Sequence, residues 1–82
     1  MNKEGLSIKV VSRKNCTRCE TIQMVAEADK VPVQVIYFHE GGAELLARYD
    51  FLPYLMPAVM AFRDGSLVRK WNGLSEFLED WT

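Results

Sequence analysis

The chain has two cysteines, Cys16 and Cys19, and they stand where its hydrophobic period changes. Before them, residues 6–11 (LSIKVV) form a short apolar run rich in β-branched side chains, which stops at the polar turn SRKN. From Thr17 the spacing becomes helical: Cys19, Ile22, Val25 and Ala26 fall on one face, with Glu20, Gln23 and Glu27 off it. A strand that turns sharply into a helix opened by Cys-x-x-Cys leaves few ways to continue. The next strand is expected to return beside the first, parallel to it, through a right-handed crossover.

The remaining elements follow the same logic. Residues 31–38 (VPVQVIYF) read as a second strand, with Pro32 near its start, where a missing N–H does little harm. HEGG breaks this strand, and AELLARYD reads as a short helix with Leu45, Leu46 and Tyr49 inward. PAVMAF (57–62) is a third strand, and the Asp64-Gly65 dipeptide is a hairpin signal that returns the chain as a fourth strand over 67–71. After Gly73, the residues Leu74, Phe77, Leu78 and Trp81 make one stripe of a closing helix. The order β-α-β-α-β-β-α predicts an α/β fold, a four-stranded mixed sheet flanked by helices.

At 82 residues the chain is expected to be one domain, burying about 60–65% of its unfolded surface. A net charge of −1 offers no reason to expect nucleic acid or an anionic membrane as partner. Lys3 and Glu4 fall where a signal peptide needs its apolar run, and no window has the roughly 18 apolar residues of a membrane span. The expectation is a cytoplasmic protein, where a lone close pair of cysteines is more often catalytic or metal-binding than a structural staple.

Three readings of the pair follow. As a working dithiol, Cys16 opens the helix, where unpaired N–H groups and the positive helix end favour a thiolate. Arg13, Lys14 and Arg18 add positive charge against the single Glu20, and both effects lower a thiol pKa from its reference of about 8.5. Cys19, more covered by its own helix, is placed to resolve a mixed disulfide. As a closed zinc site the chain falls short, since it offers two cysteines and His39 where four ligands are needed; a dimer sharing a metal or an iron–sulfur cluster would supply them. As an inert pair, both are small core residues.

Two blocks, SIKVVSRKNCTRCE and LMPAVMAFRDGSLVRKWNGLSEFLEDW, resemble the thioredoxin-fold redoxins, and the likeness spans nearly the whole chain. Pro57, Gly65 and Gly73, each eight apart, match a cis-proline strand, a hairpin and a glycine before the last helix. The resemblance implies a cis Met56-Pro57 bond facing the cysteines, the Met56 backbone pairing with an extended substrate segment, and room at Gly73 for the substrate's approach. Val10 stands where thioredoxins usually carry a buried Asp, and the dipeptide between the cysteines, Thr17-Arg18, is neither Gly-Pro nor Pro-Tyr.

SRKNC and KWNGLSE are similar to the small glutaredoxin-like redoxins that feed electrons to ribonucleotide reductase. This implies a disulfide-bearing protein substrate, ribonucleotide reductase among the candidates, and thioredoxin reductase as donor, with no bound cofactor and a monomeric protein. Trp71 is then either a hydrophobic cap on its strand or a contact for the protein partner. In a glutaredoxin the donor would be glutathione, held at Arg13, Met56 and Ser75; Asn72-Gly73 and Glu76 depart from that pattern. Tyr54 and Leu55 are either a docking surface or inward packing.

Overall fold

A computed structural model of the chain describes residues 2–51 and 57–81. The elements are β1 (Leu6–Ser12), α1 (Thr17–Ala28), β2 (Val33–Tyr37), α2 (Ala43–Arg48), β3 (Ala58–Arg63), β4 (Ser66–Asn72) and α3 (Leu74–Trp81). The sheet order is β2-β1-β3-β4. β1 and β2 are parallel, joined through α1, whereas β1 with β3 and β3 with β4 are antiparallel. The order read from the sequence is therefore the order observed.

The alternation along β1 divides the core into two layers. Leu6, Ile8 and Val10 face Cys19, Ile22 and Ala26 of α1 and Phe77 and Trp81 of α3, together with Val59, Ala61 and Trp71. Val11, Ala58, Met60 and Phe62 face the other way, against Leu46 and Phe51. Each large side chain so buried contributes about 1.5–3 kcal/mol.

The hairpin at Asp64-Gly65 has positive φ at both central residues (54° and 79°), as a two-residue turn between twisted strands requires. Beyond it the register slips: Phe62 pairs with Leu67 but Ala61 with Arg69, so Val68 is an extra residue in β4. The bulge reverses the strand's facing. Leu67 packs on the α2 side and Trp71 on the α1–α3 side.

Between β2 and α2, residues 38–42 form an irregular turn in which Glu40 and Gly41 leave helical geometry. Gly42 closes it. A Cβ there would lie 2.7 Å from Val11 Cγ1 and 2.8 Å from the Tyr37 carbonyl oxygen, so only glycine lets the start of α2 approach the end of β1.

Candidate active site

The site is built where β1 ends. Ser12, taken from the sequence as the start of the turn, is instead the last residue of β1 and is 1% exposed. Its hydroxyl donates to the Arg13 carbonyl at 2.7 Å. Asn15 then adopts φ +60°, a left-handed conformation that asparagine tolerates better than most residues, and swings the chain into α1.

Cys16 follows in extended geometry as the N-cap of α1, and its sulfur accepts the Cys19 N–H at 3.3 Å. The Cys16 carbonyl accepts the Glu20 N–H at 3.2 Å, the first bond of the helix. Cys16 and Cys19 are disulfide-bonded, with Cα atoms 5.3 Å apart. Cys19 is 4% exposed and belongs to the core beside Ile22, whereas Cys16 is half-buried at its edge. Arg13, Lys14 and Arg18 are all exposed around it, and none forms an ion pair among the described residues.

Pro57 and Gly73 lie at the same end of the sheet. Val11 of β1 pairs with Ala58, which pairs in turn with Asn72. Pro57 is buried, and its carbonyl accepts the Gly73 N–H at 2.9 Å, tying the start of β3 to the end of β4. Gly73 has φ +88° with open space where a Cβ would project, so the turn itself requires glycine and leaves the surface unobstructed. Met56, Tyr54 and Leu55, and with them the Met56-Pro57 bond, lie outside the described residues. Ser75 and Glu76 are exposed in the first turn of α3.

Trp71 is enclosed at the end of β4. It is 2% exposed, its Nε1–H donates to Asp80 Oδ2 at 2.9 Å, and its ring packs edge-on against Phe77 and Trp81, at centroid distances of 5.1 and 6.0 Å. His39 is exposed, its ring beside that of Phe38. Among the described residues no cluster of three or more His, Cys, Asp or Glu side chains could hold a metal ion.

A hollow of about 200 Å³ at the disulfide is lined by Ser12, Arg13, Asn15, Cys16, Cys19, Glu20, Gln23, Val35 and Tyr37. Ser12, Val35 and Tyr37 were not singled out from the sequence. The signal available for Tyr37 was its place at the end of the second strand, which a parallel β1–β2 pair brings beside the end of the first.

No protein-family model and no curated protein sequence matches the chain. Solved structures do. Thioredoxin from Fasciola hepatica is 21% identical with a TM-score of 0.67, the match covering 94% of this chain and 76% of that one. Mitochondrial thioredoxin 3 from Saccharomyces cerevisiae, in its oxidized form, is 16% identical with a TM-score of 0.67, over 96% and 77% of the two chains. Reduced thioredoxin pre-protein from Schistosoma mansoni is 23% identical with a TM-score of 0.62, over 98% and 78%. At such identities the likeness is one of backbone architecture. The chain therefore has the thioredoxin fold, with its disulfide at the N-terminus of the first helix.

Proposed function

We propose that the protein is a thiol–disulfide oxidoreductase that reduces disulfides of protein substrates. The observation that carries this reading is the asymmetric pair at the start of α1. Cys16 is half-buried at the helix N-terminus and Cys19 is enclosed beneath it, already bonded to one another. In the reduced protein the Cys19 N–H that now meets the Cys16 sulfur would stabilise a Cys16 thiolate, helped by the helix end and the nearby cations.

The chemistry balances as two exchanges. The Cys16 thiolate attacks one sulfur of the substrate disulfide, forming a mixed disulfide and expelling one substrate thiolate. Deprotonated Cys19 then attacks the Cys16 sulfur, expelling the second substrate thiolate and restoring the Cys16–Cys19 bond. The substrate gains two electrons and, from solvent, two protons. The dithiol holds the electron pair, so no bound cofactor takes part. Pro57 and Gly73, at the same end of the sheet, are the positions along which the substrate segment would lie. The donor proposed is a thioredoxin reductase with NADPH, acting on a monomeric, single-domain protein in the cytoplasm.

Side-by-side turnover of a disulfide-containing protein with NADPH and thioredoxin reductase, and with millimolar glutathione, tests the reading. The reductase should support the faster rate. Cys16→Ser should abolish turnover, and Cys19→Ser should accumulate a mixed disulfide detectable by mass. Turnover that survives Cys16→Ser would sink the assignment of roles; efficient glutathione with an inert reductase would make this a glutaredoxin and turn attention to Arg13 and Ser75.

A further inference from the structure

A second, larger hollow of about 710 Å³ adjoins the one at the disulfide. It lies between the active-site turn and the end of β2, and it shares Ser12, Arg13 and Tyr37 with the smaller hollow. Lys14, Phe38, His39 and Glu40 complete its described lining. The larger hollow thus forms a groove adjoining the one at Cys16, on the β2 side of the sheet rather than along Pro57 and Gly73.

Two features of this groove point to an occupant. Tyr37 and Phe38 supply aromatic lining, and Tyr37 is 37% exposed. In the larger hollow Arg13 and Lys14 supply two positive charges against Glu40, while Glu20 lines the smaller one. Neither cation is neutralised by an ion pair among the described residues. Lys14 instead rests with its Nζ 6.0 Å from the Tyr37 ring centroid, at the outer limit of a cation–π contact. A larger hollow with two cations against one carboxylate and an aromatic lining, adjoining a reactive sulfur, suits a chain that is acidic and apolar beside its own sulfur.

Resting on the oxidoreductase reading above, we propose that this groove is a specificity site for protein substrates. It receives the segment flanking the substrate's reactive cysteine and favours segments with a carboxylate and an aromatic residue next to that cysteine. Arg13 and Lys14 pair with the carboxylate, and Tyr37 and Phe38 pack against the aromatic side chain.

The test uses three disulfide substrates of the full chain: a small uncharged disulfide, and two otherwise identical disulfide-linked peptides carrying Glu-Phe or Lys-Ser beside the cysteine. The wild type should show kcat/KM about fivefold or more higher for the Glu-Phe peptide than for the Lys-Ser peptide, with the preference shrinking at 0.5 M salt. The double variant Arg13→Glu/Lys14→Glu should reverse the order. Because it also removes charge near Cys16, the ratio between the two peptides is the readout, so a general change in thiol reactivity cancels. Tyr37→Ala should reduce the preference while keeping its sign. Equal rates for both peptides, or a preference unchanged by the charge reversal, would overturn the specificity site. Failure to reduce even the small uncharged disulfide would instead overturn the oxidoreductase reading, which separates the two claims.

Discussion

The cations of this small protein live in two different circumstances. Around the α3 aromatic block they are tied. Lys3 pairs with Asp29 at 3.0 Å, and Asp29 also accepts the Trp81 indole N–H at 2.8 Å. Arg69 pairs with Asp80, which accepts the Trp71 indole N–H. Each buried indole thus has its one donor satisfied at the rim of the core by a carboxylate that a surface cation holds in place. Around the disulfide, Arg13, Lys14 and Arg18 have no ion pair among the described residues. The first arrangement closes off a core, where an unpaired N–H would leave its full desolvation penalty uncompensated. The second leaves charge free to act on a thiolate or an incoming carboxylate. The contrast is between these two sites and does not extend to the whole surface, since Lys30 and Arg48 also have no ion pair among the described residues.

The largest effect expected from breaking this pattern lies in the aromatic block. Trp81→Ala removes a ring stacked on Phe77 at 5.0 Å and orphans Asp29's second contact, and should lower unfolding stability by about 3–5 kcal/mol in urea. For a domain whose total is about 5–15 kcal/mol, that approaches unfolding. Trp71→Phe is the gentler probe. It keeps most of the ring contact and deletes the N–H to Asp80. Since Trp71 is enclosed, turnover per folded molecule should fall equally whether a reductase or a small dithiol supplies electrons. A loss confined to the reductase reaction would show that this side of the protein is a docking surface after all.

A smaller effect is expected at the untied cations. In the reduced protein, neutral iodoacetamide should label Cys16 well before Cys19. Changing Arg13, Lys14 and Arg18 together to Gln should slow that labelling at pH 7 by about two- to fivefold, as exposed charges acting through water allow. Lys3→Gln, at the other end of α1, should leave the rate unchanged. Equal slowing by Lys3→Gln would mean that net charge, rather than placement, sets the reactivity, and the contrast between the two regions would fail.

The period change at Cys16 and the Asp64-Gly65 dipeptide made the architecture legible, because a switch from β-rich to helical spacing and a two-residue turn are local signals. The asymmetry of the cysteines was legible for the same reason, since the first turn of a helix exposes its N-cap and covers the residue three later. Trp71 was ambiguous for a reason no local pattern reveals. In a regular strand it would share a face with Leu67, on the α2 side. The extra residue at Val68 turns it inward against Phe77 and Trp81, and a bulge leaves no mark in the alternation of LVRKW. The groove beyond the disulfide was hidden too. It joins residues 12–14 to residues 37–40, and only the parallel register, with Ser12 opposite Tyr37, places those segments side by side.

The smallest expected effect separates the two tied carboxylates from each other. Both Asp29 and Asp80 are held below the usual aspartate value of 3.8, but for different leading reasons. For Asp29 the Lys3 hydrogen bond comes first and the Trp81 indole second; for Asp80 the Trp71 indole comes first and Arg69 second. A carboxyl whose folded pKa is depressed favours the native state above its unfolded value and loses that contribution as pH falls through the folded one. Asp29→Asn and Asp80→Asn keep an acceptor for the indole and remove only the charge. Their stability deficit against the wild type should accordingly be present at pH 7 and close below pH 3.8. Carboxyl titration by NMR then divides the causes. Lys3→Gln should raise the Asp29 value more than Arg69→Gln raises that of Asp80, because Asp80 keeps its leading donor, the Trp71 N–H. The reverse order would mean that the surface cation, and not the buried indole, holds Asp80 in its charged state.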